Sequence, residues 1–437
     1  MIEAGDVGMR GRMAAMWRAL MARPGLTFLL LYLLSLCACL ALGLIHEFRS
    51  SPLQLDTDER EYYELASQAM QGAIPPSARR TLGFPLLLAG IRSLHDDILF
   101  VQIIVCALYA LSAPLLFLLV RKIGGSNAAG TVAGAVLGVW PPAVFYGSSL
   151  YSETVAAPLF LLVLLALPVG RSSGSTCWRW SMLLSGALLG LLAHVRPMYL
   201  LFLPFLATIM WIEHRTLRPA LHGFGLVLLG FLLPVLPWSI AQTQQFRHPI
   251  LLTANGGETL AGGLNPNLLQ GSLPMTTPSG RKTWAGPGKW IPIHESGYLS
   301  REELKLPYDR QDEMLRERAS HWAMDNPGEA AWIELRKIGY MWGIYPLAQN
   351  GSLQLWFGNL PTMILLALTL WCFVVARGPQ AKLVRLWALP LFTVAVALIS
   401  WGSWRFRQPG DVGLIAFCAI GLVRHVQARR PESRADA

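Results

Sequence analysis

The sequence predicts an all-α polytopic membrane protein: a bundle of about ten transmembrane helices with interfacial helices and an outer loop cap. Three observations predict it. Residues of the AVILMFWYC set fill 53% of the 437 positions, and the 40 glycines raise the apolar share to roughly 62%, against about 45–50% in a soluble domain. Charged residues make up 14%, against about 25%. The apolar residues also gather in runs near the ~20 that a helix needs to cross a bilayer. A soluble globule of this size could not hide so much apolar surface.

The runs fall at 25–45, 98–120, 126–146, 154–170, 181–195, 198–212, 220–240, 353–376, 386–402 and 409–424. The first is too long for a secretory signal core and is read as an uncleaved anchor. Phe84 to Leu94 is too short to cross and is read as an interfacial helix. The chain then divides into a cytoplasmic segment 1–24, a bundle 25–240 holding the first outer loop 46–97, an outer cap 241–350, C-terminal spans 351–424 and a cytoplasmic tail 425–437.

Charge orients these pieces. The segments assigned to the cytoplasm carry 17 basic against five acidic residues, and the opposite turn 147–153 has no Lys or Arg. Both termini are therefore expected inside, and the net charge of +10 reflects topology, not nucleic-acid binding. The cap balances 11 basic with 11 acidic residues. Within it, Asp325-Asn326-Pro327-Gly328-Glu329 reads as a helix start, with Ala331, Leu335, Ile338 and Trp342 on one face of a surface-lying helix. The six cysteines give neither a disulfide framework in the long loops nor a zinc spacing.

No Asp, Glu or Lys stands mid-membrane, where an ion-coupled transporter needs one. The acids collect instead in 46–97, densest at Asp56-Thr57-Asp58-Glu59-Arg60-Glu61-Tyr62-Tyr63-Glu64, while Glu153 stands alone in its turn. From Asp58 the spacing predicts a helix, with Tyr62, Leu65 and Ala66 on its face. Asp58 is open to two readings, a helix cap or a reactive carboxylate. Arg79-Arg80 before Gly83-Phe84-Pro85, and Arg405 and Arg407 in the last outer turn, are open to two as well. They suit phosphate in fork geometry, or headgroup anchoring.

At these residues the chain resembles the GT-C membrane glycosyltransferases, in the branch of protein O-mannosyltransferases and lipid A aminoarabinose transferases. The resemblance is an ordered set of motifs from about residue 50 to 425. It comprises Asp58 with Tyr62 and Leu65-Ala66, and Asp56-Thr57-Asp58 as an Asp-x-Asp. Next come Arg80 before Leu82-Gly83-Phe84-Pro85, Trp140-Pro141-Pro142 with Tyr146 and Ser152-Glu153, and Arg196-Pro197. Pro237-Trp238, Asn255-Gly256-Gly257 with Gly263, Asn265 and Pro266, and finally Arg405, Arg407 and Pro409 complete the set. Leu82 departs from the Pro expected there.

The resemblance implies a GT-C-like bundle in a bacterial inner membrane with its active site on the periplasmic face. It implies transfer of a sugar, normally with inversion, from a polyprenyl-phosphate donor to a hydroxyl of a glycolipid, lipopolysaccharide or protein. Asp58 is then the base and Glu153 its assistant. Arg79, Arg80, Arg405 and Arg407 are donor phosphate ligands, and Tyr62, Tyr63, Tyr146 and Asn255 line the substrate. No cofactor is required by this reading. A divalent cation on Asp58 and Glu153, with Asp56 and Glu59 as further acidic ligands, stays an open alternative. The rival class is a lipid or small-molecule transporter or flippase, which would place charge within spans and repeat internally. A lipid hydrolase would need an elbow or metal set that is missing.

Overall fold

The computed structural model of the chain describes residues 23–48, 50–55, 57–73, 79–169, 174–270, 273–276, 282–285, 298–344, 358–375 and 383–429. It is a helical bundle capped at one end by a smaller helical layer. Helix α1 (Pro24–Leu42) opens on a proline, which costs nothing in a first turn whose amides lack partners anyway. The next two, α2 (Thr57–Met70) and α3 (Gly83–Leu94), pack on each other. Then follow α4 (Ile98–Ala110), α5 (Ser112–Lys122), α6 (Asn127–Gly138), α7 (Pro141–Gly147), α8 (Glu153–Ala166), α9 (Thr176–Val195), α10 (Phe202–His214) and α11 (Leu217–Phe246). Asp97, Ser126 and Ser175 cap α4, α6 and α9 by accepting from backbone amides three residues on. Pro141 and Pro142 break the third span into α6 and α7 at 59°, since proline cannot donate into the helical ladder.

The cap holds α12 (Gly256–Gly263), a two-stranded antiparallel ribbon of β1 (Leu273–Thr276) and β2 (Lys282–Ala285), α13 (Tyr308–Asp325) and α14 (Pro327–Met341). The ribbon is a small exception to an otherwise all-helical expectation. Helices α15 (Leu360–Val375), α16 (Val384–Ile399) and α17 (Gln408–Ala428) complete the bundle. Gly186 on α9 and Gly230 on α11 let those helices touch backbone to backbone. A β-carbon at either would overlap the carbonyl of Val227 or Leu183.

Apolar helices stand at all ten expected positions. Among the described residues, five are long and apolar enough to cross a bilayer unaided, or six with the bent α6–α7 pair. The protein is a multi-pass membrane protein, but several of its helices are shorter than sequence runs of ~20 imply. Residues 353–357, the start of the eighth expected span, lie outside the described residues.

Contacts separate the two ends of the bundle. At one end Arg385 pairs with Glu213 and donates to the carbonyls of Leu167 and Pro168. At the other, Glu258 of the cap pairs with Arg79, next in sequence to Arg80 and its partner Asp58. Helix α14 starts at Pro327, as expected, though the Asn326 amide turns back to the Trp322 carbonyl of α13. Ile333, Arg336, Lys337 and Met341 are buried, and of the expected face Trp342 is buried and Ile338 packs on the core. Ala331 and Leu335, the other half of that face, point outward, the latter 63% exposed beside Trp332.

Candidate active site between bundle and cap

The site is built where α2 meets the turns after α7, α9 and α16. Asp58 sits in the first turn of α2, where a carboxylate is favoured by the helix end. Its Oδ1 accepts from Arg80 Nη2 at 2.7 Å and its Oδ2 from Arg405 Nη1. Burial alone would raise the Asp58 pKa. The two guanidiniums outweigh it and hold the carboxyl well below the usual carboxylate range. Arg80 also donates to Glu61 at 2.7 Å and stacks over the Tyr62 ring at 5.1 Å.

Arg405 reaches the other way to Glu153, donating from Nε to Oε1 and from Nη2 to Oε2. Arg196 shares the same Oε1 and approaches Ser152 Oγ at 3.3 Å. The Tyr62 hydroxyl donates to Ser152 Oγ at 3.4 Å. Arg79 forms a fork with Glu258 of the cap at 3.0 and 3.2 Å, and Tyr308 donates to Glu258 from α13. Asp312 of α13 accepts from the Glu258 amide at 2.8 Å. The cap and the first loop are thus joined through charge-assisted bonds.

These groups surround a cavity of about 470 Å³. Asp58, Tyr62, Arg79, Arg80, Asn255 and Arg405 line it, joined by Arg196 and Arg316. A second wall is aliphatic and comes from the bundle: Met198, Leu200 and Leu201 after α9, and Val396 and Ile399 of α16. The cavity can therefore hold an anionic head beside an apolar chain.

Several expected site residues lie elsewhere. Arg407 is fully buried, paired with Asp411 four residues on and bonded to the carbonyls of Met341 and Gly358. Trp140 also donates to Asp411, so Arg407 fastens α17 to neighbouring turns. Glu153 is buried behind Arg405 and Arg196 and does not open onto the cavity. Glu59 turns inward and accepts from the Leu150 amide at 2.8 Å. Tyr63 bonds Asp96 and lies under Arg92 as part of the α2–α3 contact. Tyr146 is buried against Trp404 and Tyr151. Asp56 lies outside the described residues.

The cation alternative fits these residues poorly. Among the described residues no three His, Cys, Asp or Glu groups stand close enough to hold a metal ion. The guanidinium of Arg405 occupies the space between Asp58 and Glu153.

Sequence reasoning left Arg196, Ser152, Glu61, Glu258 and Arg316 off the list of site residues. Arg196 had a signal, being a lone cation in a short turn between apolar runs. Glu258 and Arg316 had none, because only the packing of the cap brings them here.

No protein-family model and no curated protein matches the chain. Among solved structures it is similar to the archaeal oligosaccharyltransferase AglB from Archaeoglobus fulgidus, determined in complex with an inhibitory peptide and a dolichol-phosphate. The TM-score is 0.53 at 11% sequence identity, and the match covers 94% of this chain and 52% of that one. The chain thus spans about half the length of that protein. At this identity the likeness is one of fold.

Proposed function

We propose that the protein is a membrane glycosyltransferase that moves a sugar from a polyprenyl-phosphate donor to a hydroxyl of an acceptor on the outer side of a bacterial inner membrane. The observation that carries this reading is the two-sided cavity, with arginines around one carboxylate at one wall and aliphatic side chains at the other. The lipid chain lies along Met198, Leu201 and Ile399. The phosphate lies at Arg80 and Arg405. The fold likeness supports the same reading.

The acceptor oxygen attacks the anomeric carbon as the bond from that carbon to the phosphate oxygen breaks. The acceptor proton passes to Asp58, and the prenyl phosphate leaves with the bonding pair. Asp58 at rest is a poor base, because two guanidiniums engage both of its oxygens. An arriving phosphate competes for those same N–H donors. Losing them raises the basicity of Asp58 as the donor binds. As the leaving phosphate gains charge, Arg80 and Arg405 stabilise it. Glu153 is a positioning residue: it holds Arg405 and Arg196 in place from behind.

The test is an in vitro transfer assay with isolated polyprenyl-phosphate sugars and full-length protein in membranes. Asp58→Asn is expected to lower the rate by about 10²–10⁴. Transfer at the wild-type rate by a correctly inserted Asp58→Asn protein would sink the assignment.

A further inference from the structure

The charges at the polar wall answer one another. Arg79, Arg80, Arg196 and Arg405 are paired with Asp58, Glu61, Glu153 and Glu258. Four positive groups meet four negative ones. Arg316, on α13, is a fifth guanidinium lining the same cavity. It is exposed and has no ion-pair or hydrogen-bond partner among the described residues. Asp312, one turn earlier on α13, neighbours it but is occupied by the amides of Gly257 and Glu258 at the start of α12. Asn255 lines the same cavity, two residues before Gly257, which packs against the backbone of Asp312 and Arg316. The Asn255 Oδ1 accepts from Thr253 Oγ1 at 2.8 Å, which leaves the Asn255 amide donors without a partner among the described residues.

Asp312 balances the charge of Arg316 across one helical turn, but the N–H donors of Arg316 are unengaged among the described residues and are open to an anion. The planar guanidinium and a neighbouring amide suit the oxygens of a phosphate or carboxylate. Arg316 and Asn255 belong to the cap and its approach, whereas the aliphatic wall belongs to the bundle.

We infer that the cap wall carries a second oxyanion site, formed by Arg316 with the Asn255 amide, that takes a phosphate or carboxylate carried by the acceptor. This rests on the proposed donor reading, which assigns the first anion to Arg80 and Arg405. The acceptor is then an anionic molecule, and the cavity holds two anions at once.

The experiment uses the full chain in lipid nanodiscs saturated with geranylgeranyl phosphate, titrated with glucose and with glucose 6-phosphate. Glucose 6-phosphate is expected to bind about tenfold more tightly than glucose, the scale of one charge-assisted contact. That preference should fall to about twofold or less in Arg316→Gln and return in Arg316→Lys. Equal binding of the two sugars by wild type overturns the proposal. So does a preference that survives Arg316→Gln, or displacement of geranylgeranyl phosphate by glucose 6-phosphate, which would mean a single anion site. If geranylgeranyl phosphate itself fails to bind wild type, the donor reading fails. The sugar titrations in lipid alone then still report on Arg316, so the two failures are told apart.

Discussion

Arg405 and Glu153 lie 252 positions apart and meet through a two-pronged contact, Nε to Oε1 and Nη2 to Oε2. The same guanidinium reaches Asp58 with its remaining nitrogen. One side chain therefore ties the last turn of the bundle to the start of α8 and to the start of α2. Its removal should disturb chemistry and donor binding together.

Arg405 and Arg407 separate function from stability. Arg405→Ala should weaken binding of a prenyl phosphate by about 1.5–3 kcal/mol, read by titration. Arg407→Ala should instead cost about 3–5 kcal/mol of stability, because it leaves Asp411 buried and uncompensated. Thermal unfolding in detergent checks this. Unchanged donor affinity in Arg405→Ala would make that residue an anchor only.

Asp58 and Asp56 are to be compared as Asn variants in inserted protein. Loss of transfer in Asp58→Asn alone fits the position of Asp58 on the cavity wall. Near-normal transfer by Asp58→Asn with an inactive Asp56→Asn would move the role of base to Asp56. Activity in both would remove this loop from the chemistry.

The legible part of the site was the part that breaks a local rule. Arg80, Glu153 and Arg405 are charges at the ends of apolar runs, where each needs a reason, while Asp58 was marked by its place at a helix start ahead of Tyr62, Leu65 and Ala66. Arg407 broke the same rule and was assigned with them. Its Asp411 partner stands at i+4 on the same helix start, a spacing that favours a local pair. The cap contributed Glu258, Asp312 and Arg316 through packing of α12 on α13, and no periodicity in the sequence announces such long-range contacts. The bundle was legible in place and order but not in helix lengths. Composition marks where a chain is apolar, while breaks such as Pro141-Pro142 decide where a helix stops.

Gly257 is predicted to be a structural requirement of the cap and Gly256 is not. A methyl group on Gly257 would overlap the backbone of Asp312, whereas one on Gly256 meets nothing within 4 Å. Gly257→Ala should destabilise the cap by about 1–3 kcal/mol and open it to limited proteolysis. Gly256→Ala should digest like wild type.

The depressed pKa of Asp58 sets a pH signature. Its folded value lies below the unfolded value near ~3.9. The stabilisation it brings is therefore complete above about pH 4 and is lost as pH falls through the folded value. Wild type should exceed Asp58→Asn in melting temperature by a constant margin from about pH 8 to 5. The margin should shrink below about pH 4. A margin that grows on acidification would contradict the ion pairs at Asp58.

The basic asymmetry predicts that a reporter fused after Ser300 reports the outer side and one fused at the C-terminus the cytoplasm. Cytoplasmic signal at both positions would reverse the orientation of the site.

Arg80 and Arg405 are already held by carboxylates at rest, which has a consequence for life within a bilayer. The membrane surrounds the protein with phospholipid phosphates at far higher abundance than any prenyl carrier. Bare guanidiniums would be fouled by them. At Arg80 and Arg405 an incoming phosphate has to dislodge an internal carboxylate before it gains a contact, so binding there is an exchange. Only a ligand that also fills the aliphatic wall and the cap end recovers what the exchange gives up. Under the proposed function, the matched pairs at Arg80 and Arg405 act as a filter against the solvent the protein lives in.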